Sequence, residues 1–94
     1  MFSSTHLPPD VLQGLASRWK SLRKAHKISQ SEMADRSGAS LGSIKRFERS
    51  GHINLISLLK LAHVLDRLDD FNSLFVADPN LDLETLFSDR TRRK

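Results

Sequence analysis

The sequence contains no cysteine, so neither a disulfide framework nor a thiolate metal site is available to it. His6, His26, His52 and His63 show no metal-ligand spacing and read as loop or surface residues. Only four glycines occur, and none completes a G-x-S-x-G, P-loop or G-x-G-x-x-G pattern. The serines cluster at candidate caps and turns, where hydrogen bonding to the backbone explains them. The chain therefore reads as no enzyme, with no cofactor and no metal. No apolar run approaches the roughly 18 residues of a membrane span. The N-terminus MFSSTHLPPD lacks a basic region followed by a long apolar one, which argues against a signal peptide. A cytoplasmic location follows as the default expectation. No stretch alternates at period two, so the expected core has no sheet, and no internal repeat is present.

What is there fits one small domain. Ninety-four residues support a single hydrophobic core. A core of this size without staples is marginal alone, so dimerisation is expected. The net charge is +4, but its distribution is more informative. Residues 1–50 carry nine Lys/Arg and four acids, whereas residues 66–89 carry seven acids and one arginine. Arg90, Arg92, Arg93 and Lys94 close the chain. A basic front and an acidic back suit a protein that turns one face to a polyanion. The plain alternative is an ordinary solvated surface.

The most informative stretch is Ser29 to Gly51. Ser29-Gln30-Ser31-Glu32 has the form of a capping box, in which the Ser29 hydroxyl accepts a free backbone N–H and Glu32 reaches back to the Ser29 N–H. Met33 and Ala34 give the first helix an apolar inner side. Gly38 stops it, because glycine takes the left-handed conformation that helix ends need. Ser40 is a second N-cap. Ile44 and Phe47, at i and i+3, mark the inward face of a second helix that Gly51 ends. Ser43, Lys45, Arg46 and Arg49 surround them, all polar and mostly basic. A helix, a short glycine turn and a basic second helix describe the helix-turn-helix of DNA-binding proteins.

Gln30, Glu32, Met33-Ala34, Gly38, Ser40, Ile44, Phe47, Glu48 and Gly51, continued by Leu58-Leu59-Lys60-Leu61-Ala62 and Leu65, resemble the phage-repressor/Cro (Xre-type) family. The resemblance covers roughly residues 15–65. It implies an all-α fold, a five-helix lambda-repressor-like DNA-binding domain with a short C-terminal helical extension. The division expected is a flexible arm at 1–8, a helix-turn-helix domain at 9–76, and an extension with a charged tail at 77–94.

The remaining elements follow from periodicity. Pro8-Pro9 resists helix, and Pro9 or Asp10 opens one, since proline is tolerated in the first turn. Leu12, Leu15, Ala16, Trp19 and Leu22 predict an amphipathic helix of about four turns. Arg18, Lys20, Arg23, Lys24 and Lys27 are placed on its other face, and Trp19 is read as a core anchor. Asn54 is a further N-cap. Leu55, Leu58, Leu59, Ala62 and Leu65 mark the apolar face of a fourth helix. Asp69 or Asp70 starts a fifth, with Phe71, Leu74 and Phe75 on one side. Ala77-Asp78-Pro79-Asn80 reads as a turn. Leu81, Leu83, Leu86 and Phe87 form a last apolar cluster before a charged tail.

By resemblance, the helix from about Leu41 to Arg49 enters the major groove. Carried over by position, Ser40, Leu41, Gly42, Lys45 and Arg46 meet base edges, with Arg46 the strongest candidate to pair with guanine O6 and N7. Leu41 and Gly42 depart from the polar residues common at these positions, which shifts weight towards readout of DNA shape. Gly42 is either a close approach to DNA or a tolerated surface glycine. The resemblance puts Gln30 on a phosphate, with Ser43 and Arg49 as further backbone contacts. Glu48 is read as structural, paired with Arg36 or another nearby cation.

The expected function is a homodimeric, sequence-specific transcriptional repressor bound to a double-stranded operator. Phe71, Leu74, Phe75, Leu81, Leu86 and Phe87 either form the dimer or partner interface or close the monomer's own core. Asn54 to Leu65, with Asp69-Asp70-Phe71, further resembles HipB-type antitoxins, which implies a HipA-like kinase toxin as partner and autoregulation of a shared operon. Phage-type regulators and controllers of restriction-modification genes carry the same domain and stay open as alternatives. So does a protein-interaction adaptor without a DNA role, against which the basic second helix argues.

Overall fold

In a computed structural model, residues 7–79 are described. They form five helices: α1 (Pro8–Ala25), α2 (Gln30–Ser37), α3 (Leu41–Ser50), α4 (Leu55–Val64) and α5 (Asp69–Asn72). No strand occurs among the described residues. None of these helices is long and apolar enough to cross a membrane. The fold is the all-α, five-helix arrangement expected. Residues 1–6 of the expected arm lie outside the described residues, as do Leu81, Leu83, Leu86, Phe87 and the charged tail.

The helix α1 opens at Pro8, earlier than Pro9 or Asp10. Both prolines fit the first turn, where an N–H has no intrahelical partner in any case. The backbone at Leu7 caps it, its carbonyl accepting from the N–H of Asp10 and Val11 at 3.0 and 3.1 Å. With 18 residues, α1 is longer than the four turns read from its apolar spacing.

The start and stop of α2 and α3 follow local chemistry. The Ser29 hydroxyl accepts from Glu32 N–H at 3.0 Å, and Ser40 accepts from Ser43 N–H at 3.1 Å. The reciprocal half of the expected capping box does not form. Glu32 instead accepts from Arg36 at 2.6 Å, one turn on, where opposite charges meet on a helix surface. Gly38 and Gly51 end the two helices in the left-handed conformation, at φ 82° and 86°. The Oδ1 of Asn54 caps α4, accepting from Ser57 N–H at 2.8 Å.

The core is built where α3 packs against α1 and α2, and α2 against α4. Phe47, Met33, Ile44 and Leu61 are fully enclosed, with Ala16, Trp19, Ile28, Ala39, Leu58 and Leu65 around them. The inward face of α4 is Leu58, Leu61, Ala62 and Leu65. Leu55, expected on that face, is exposed together with Ile56. The segment LISLLKLAHV is apolar almost all round, so periodicity alone does not select its buried side. Phe71 packs against the core from α5, whereas Leu74 and Phe75 lie beyond that helix and are exposed. The expected greasy side of α5 is therefore reduced to Phe71. Phe75 even takes a positive φ of 62°, which breaks the helix geometry that would have aligned it with Phe71.

Candidate nucleic-acid interface

Three residues, Gly38 to Ser40, join α2 to α3. Ala39 is buried within this turn and fixes it to the core. Ile44 and Phe47 anchor α3 from beneath at full burial. Their helical spacing leaves Ser40, Gly42, Lys45, Arg46 and Arg49 exposed, with Leu41 and Ser43 half-buried. Of the eight residues carried over as DNA contacts, seven thus lie on the outer parts of α3 and its cap, and Gln30 is at the first position of α2. None of Lys45, Arg46 and Arg49 has a side-chain partner among the described residues, so all three cations are available to a ligand.

The polar groups differ in what they can still do. The Ser40 hydroxyl is fully engaged, accepting from Ser43 N–H and donating to Ser43 Oγ at 2.9 Å. Ser43 keeps its own O–H as a donor. A Cβ placed on Gly42 would meet nothing within 4 Å, so no packing among the described residues demands glycine there. Gly42 faces open space among the described residues.

Beneath this surface lies a buried charge network. Arg23 from α1 grips Glu48 from α3 with two hydrogen bonds, Nε to Oε2 at 2.7 Å and Nη2 to Oε1 at 2.8 Å. The two side chains are only 7% and 3% exposed. Trp19 Nε1 donates to Glu48 Oε2 at 2.9 Å, and Gln30 Nε2 donates to Glu48 Oε1 at 3.0 Å. Arg23 Nη1 also donates to the Ile28 carbonyl at 2.8 Å, tying in the segment that leads into α2. No buried side-chain polar atom among the described residues lacks a partner. Burial pushes the Glu48 carboxyl up, but hydrogen bonds from Arg23, Gln30 and Trp19, with the charge of Arg23, outweigh it and hold its pKa below the usual carboxylate value. The hydrogen bond to Glu48 raises the Arg23 pKa against the opposing effect of burial.

This network corrects one expectation and decides between the two alternatives of another: Glu48 is structural, and its partner is a nearby cation other than Arg36. Arg23 belongs to the core face of α1, not to its solvent face. Glu48 pairs with Arg23, while Arg36 is taken by Glu32. The signal was present in the spacing. Ala16, Trp19 and Arg23 recur at i, i+3 and i+7, and Glu48 follows Ile44 by four residues, so a cation and an acid each stand on an inward stripe.

A family model described as Helix-turn-helix matches residues 20–71, more than half of the chain. The protein belongs to the Helix-turn-helix family. No match was found among curated proteins or solved structures. The matched span of this helix-turn-helix protein takes in the Arg23–Glu48 pair, both helices of the motif, α4 and Phe71. Membership makes it a DNA-binding transcriptional regulator of the phage-repressor/Cro type, with α3 as the second helix of its motif.

Proposed function

We propose that the protein is a sequence-specific repressor that binds its operator as a homodimer, with α3 of each copy in the major groove. The observation that carries this reading is the outer side of α3, where Lys45, Arg46 and Arg49 are exposed and unpaired above fully buried Ile44 and Phe47. Arg46 reads a guanine, Lys45 and Leu41 touch base edges, and Gln30, Ser43 and Arg49 hold phosphates. A two-fold dimer would set the two helices about 34 Å apart, one turn of the duplex. The exposed apolar run Leu74, Phe75 and Val76 supports a protein interface beyond α5, with Phe71 at its inner edge; Leu81, Leu86 and Phe87, outside the described residues, are assigned to it from the sequence alone. Within this reading, the protein is the antitoxin and autoregulator of a HipA-type kinase operon and works in the cytoplasm. The resemblance of residues 54–65 and of Asp69-Asp70-Phe71 supports this, and exposed Asp66, Asp69 and Asp70 offer an acidic surface for the kinase.

The test is a titration of the purified protein against a labelled fragment of its own upstream DNA at two salt concentrations, with random DNA as competitor. Tight, competitor-resistant binding is expected. If a dimer neutralises about 8 phosphates, log K falls with log salt at a slope of roughly −7. Lys45→Glu with Arg46→Glu should abolish binding while leaving the fold intact. A slope near zero, or retained binding by that variant, overturns the reading.

A further inference from the structure

The hydrogen bond between Gln30 and Glu48 links the first residue of α2 to the core side of α3. We propose that Glu48 is a positioning residue for DNA: its carboxylate fixes the Gln30 side-chain amide so that the second N–H of that amide meets a backbone phosphate. This rests on the proposed DNA reading and adds a residue that does not itself touch the ligand.

Three features of the site support it. First, the orientation of the amide is determined by its neighbour. An ionised carboxylate only accepts, so the Gln30 face turned to Glu48 is its NH2 group, 3.0 Å from Oε1. One N–H is used there and the other remains for a ligand. Secondly, Glu48 is held at both oxygens. Arg23 holds both its oxygens and Trp19 holds one, so the Gln30 amide is referred to a fixed point on α1 and α3. A surface glutamine without such a tether must lose its rotamer freedom when it binds. Thirdly, the acid does not repel the phosphate it serves. Its charge is matched by the Arg23 guanidinium, which is bidentate and buried with it. The same arginine fixes the Ile28 carbonyl, two residues before Gln30, so the backbone and side chain at the start of α2 are set together.

The experiment uses a duplex selected by the full chain from a random pool, with Kd measured across a salt series and phosphates mapped by ethylation interference. Gln30→Ala is expected to weaken binding about tenfold, the loss of one charge-assisted contact. Glu48→Gln is expected to weaken it to a similar degree and to erase interference at the same phosphate, with the other phosphates unchanged. The double variant should bind no worse than Gln30→Ala. Thermal melts verify that each variant is folded at the assay temperature. Should Glu48→Gln not fold, Gln30→Asn serves instead. It keeps an amide at the start of α2 but falls one methylene short of Glu48, and it should lose the same phosphate. Wild-type affinity in Glu48→Gln or Gln30→Asn, or losses that add in the double variant, overturn the proposal. Arg46→Ala separates the two levels of the argument. If the wild type selects no duplex and Arg46→Ala changes nothing, the DNA reading falls, whereas if only Gln30→Ala is silent, the positioning role alone falls.

Discussion

Gly38 and Gly51 are a natural controlled pair, because they end successive helices at nearly the same backbone angle but in different surroundings. An alanine at either position must sit in the left-handed region, which costs roughly 1–2 kcal/mol. Part of that is offset by about 0.4–1 kcal/mol, since alanine also restricts the unfolded chain. At Gly38 this is the whole effect, for an added Cβ would meet nothing within 4 Å among the described residues. Gly38→Ala should therefore destabilise by about 1 kcal/mol. At Gly51 the added Cβ would lie 2.8 Å from Leu12 Cβ and 2.9 Å from both the carbonyl carbon and oxygen of Leu12. Those atoms belong to the second turn of α1 and cannot rotate away, so α3 and α1 must part. Overpacking of this kind adds about 1–3 kcal/mol, which brings Gly51→Ala to roughly 2–4 kcal/mol. In a domain of this size each kcal/mol moves Tm by about 4–8 °C. Thermal unfolding followed by circular dichroism at 222 nm, with urea midpoints as a second measure, would read both variants. Shortening Leu12 to alanine should not rescue Gly51→Ala, because the clash is with backbone and Cβ. Equal destabilisation of the two glycine variants would refute the close approach of α1 and α3 on which this reasoning depends.

Three further outcomes are expected. Gly42→Ala should raise stability by less than about 1 kcal/mol, the helix-interior value, since Gly42 lies in the first turn of α3 and gives way to alanine in open space. It should also weaken operator binding, and an unchanged Kd would dispose of a close approach to DNA at that point. The Glu48 carboxyl titrates lower in the folded chain than in the unfolded one, where a glutamate ionises near about 4.3. Its stabilisation is thus complete above that pH and is lost as pH falls through it towards the lower folded value. Urea unfolding of the wild type between about pH 5 and pH 3 should show a steeper loss of stability than Glu48→Gln, and parallel curves would count against the assignment. Asn54→Ala removes the side-chain cap of α4 and should cost about 1 kcal/mol, read as a lower urea midpoint with an unchanged m-value.

The parts of the fold visible in the sequence are those decided by local chemistry. Ser29, Ser40 and Asn54 cap helices because a hydroxyl or amide oxygen three residues ahead of a free N–H has little else to do, and Gly38 and Gly51 end helices because few other residues tolerate the geometry. The burial of Met33, Ile44 and Phe47 follows from spacing on short helices that have a clear polar side. Legibility fails where that contrast is missing or misleading. The helix α4 is apolar on most sides, so Leu55 and Leu61 exchanged places between expectation and structure. The charge of Arg23 argues for solvent, although its position in the helical repeat lies on the same stripe as Ala16 and Trp19. Its partner, Glu48, is 25 residues away in sequence, and only the tertiary fold brings the two into one network. The residues carried over as DNA contacts fall largely on the outer side of α3, as their spacing implies, whereas the link from Gln30 to Glu48 needs the packing of α2 on α3.

The position of Trp19 gives the molecule a built-in optical gauge. Its ring borders a groove of about 290 Å³ with Leu15, Leu22, Leu58, Ala62 and Phe71, while its N–H donates to Glu48 of α3. As the sole tryptophan, it is the only indole emitter in the chain. One fluorophore therefore samples two neighbourhoods at once, the seam under α5 on one side and the charge cluster under α3 on the other. Wetting of the groove would shift its emission to the red, and withdrawal of Glu48 would change its intensity as the hydrogen bond is lost. Folding, ligand entry and movement of the motif can all be followed on the unlabelled protein, without an added dye or an engineered probe.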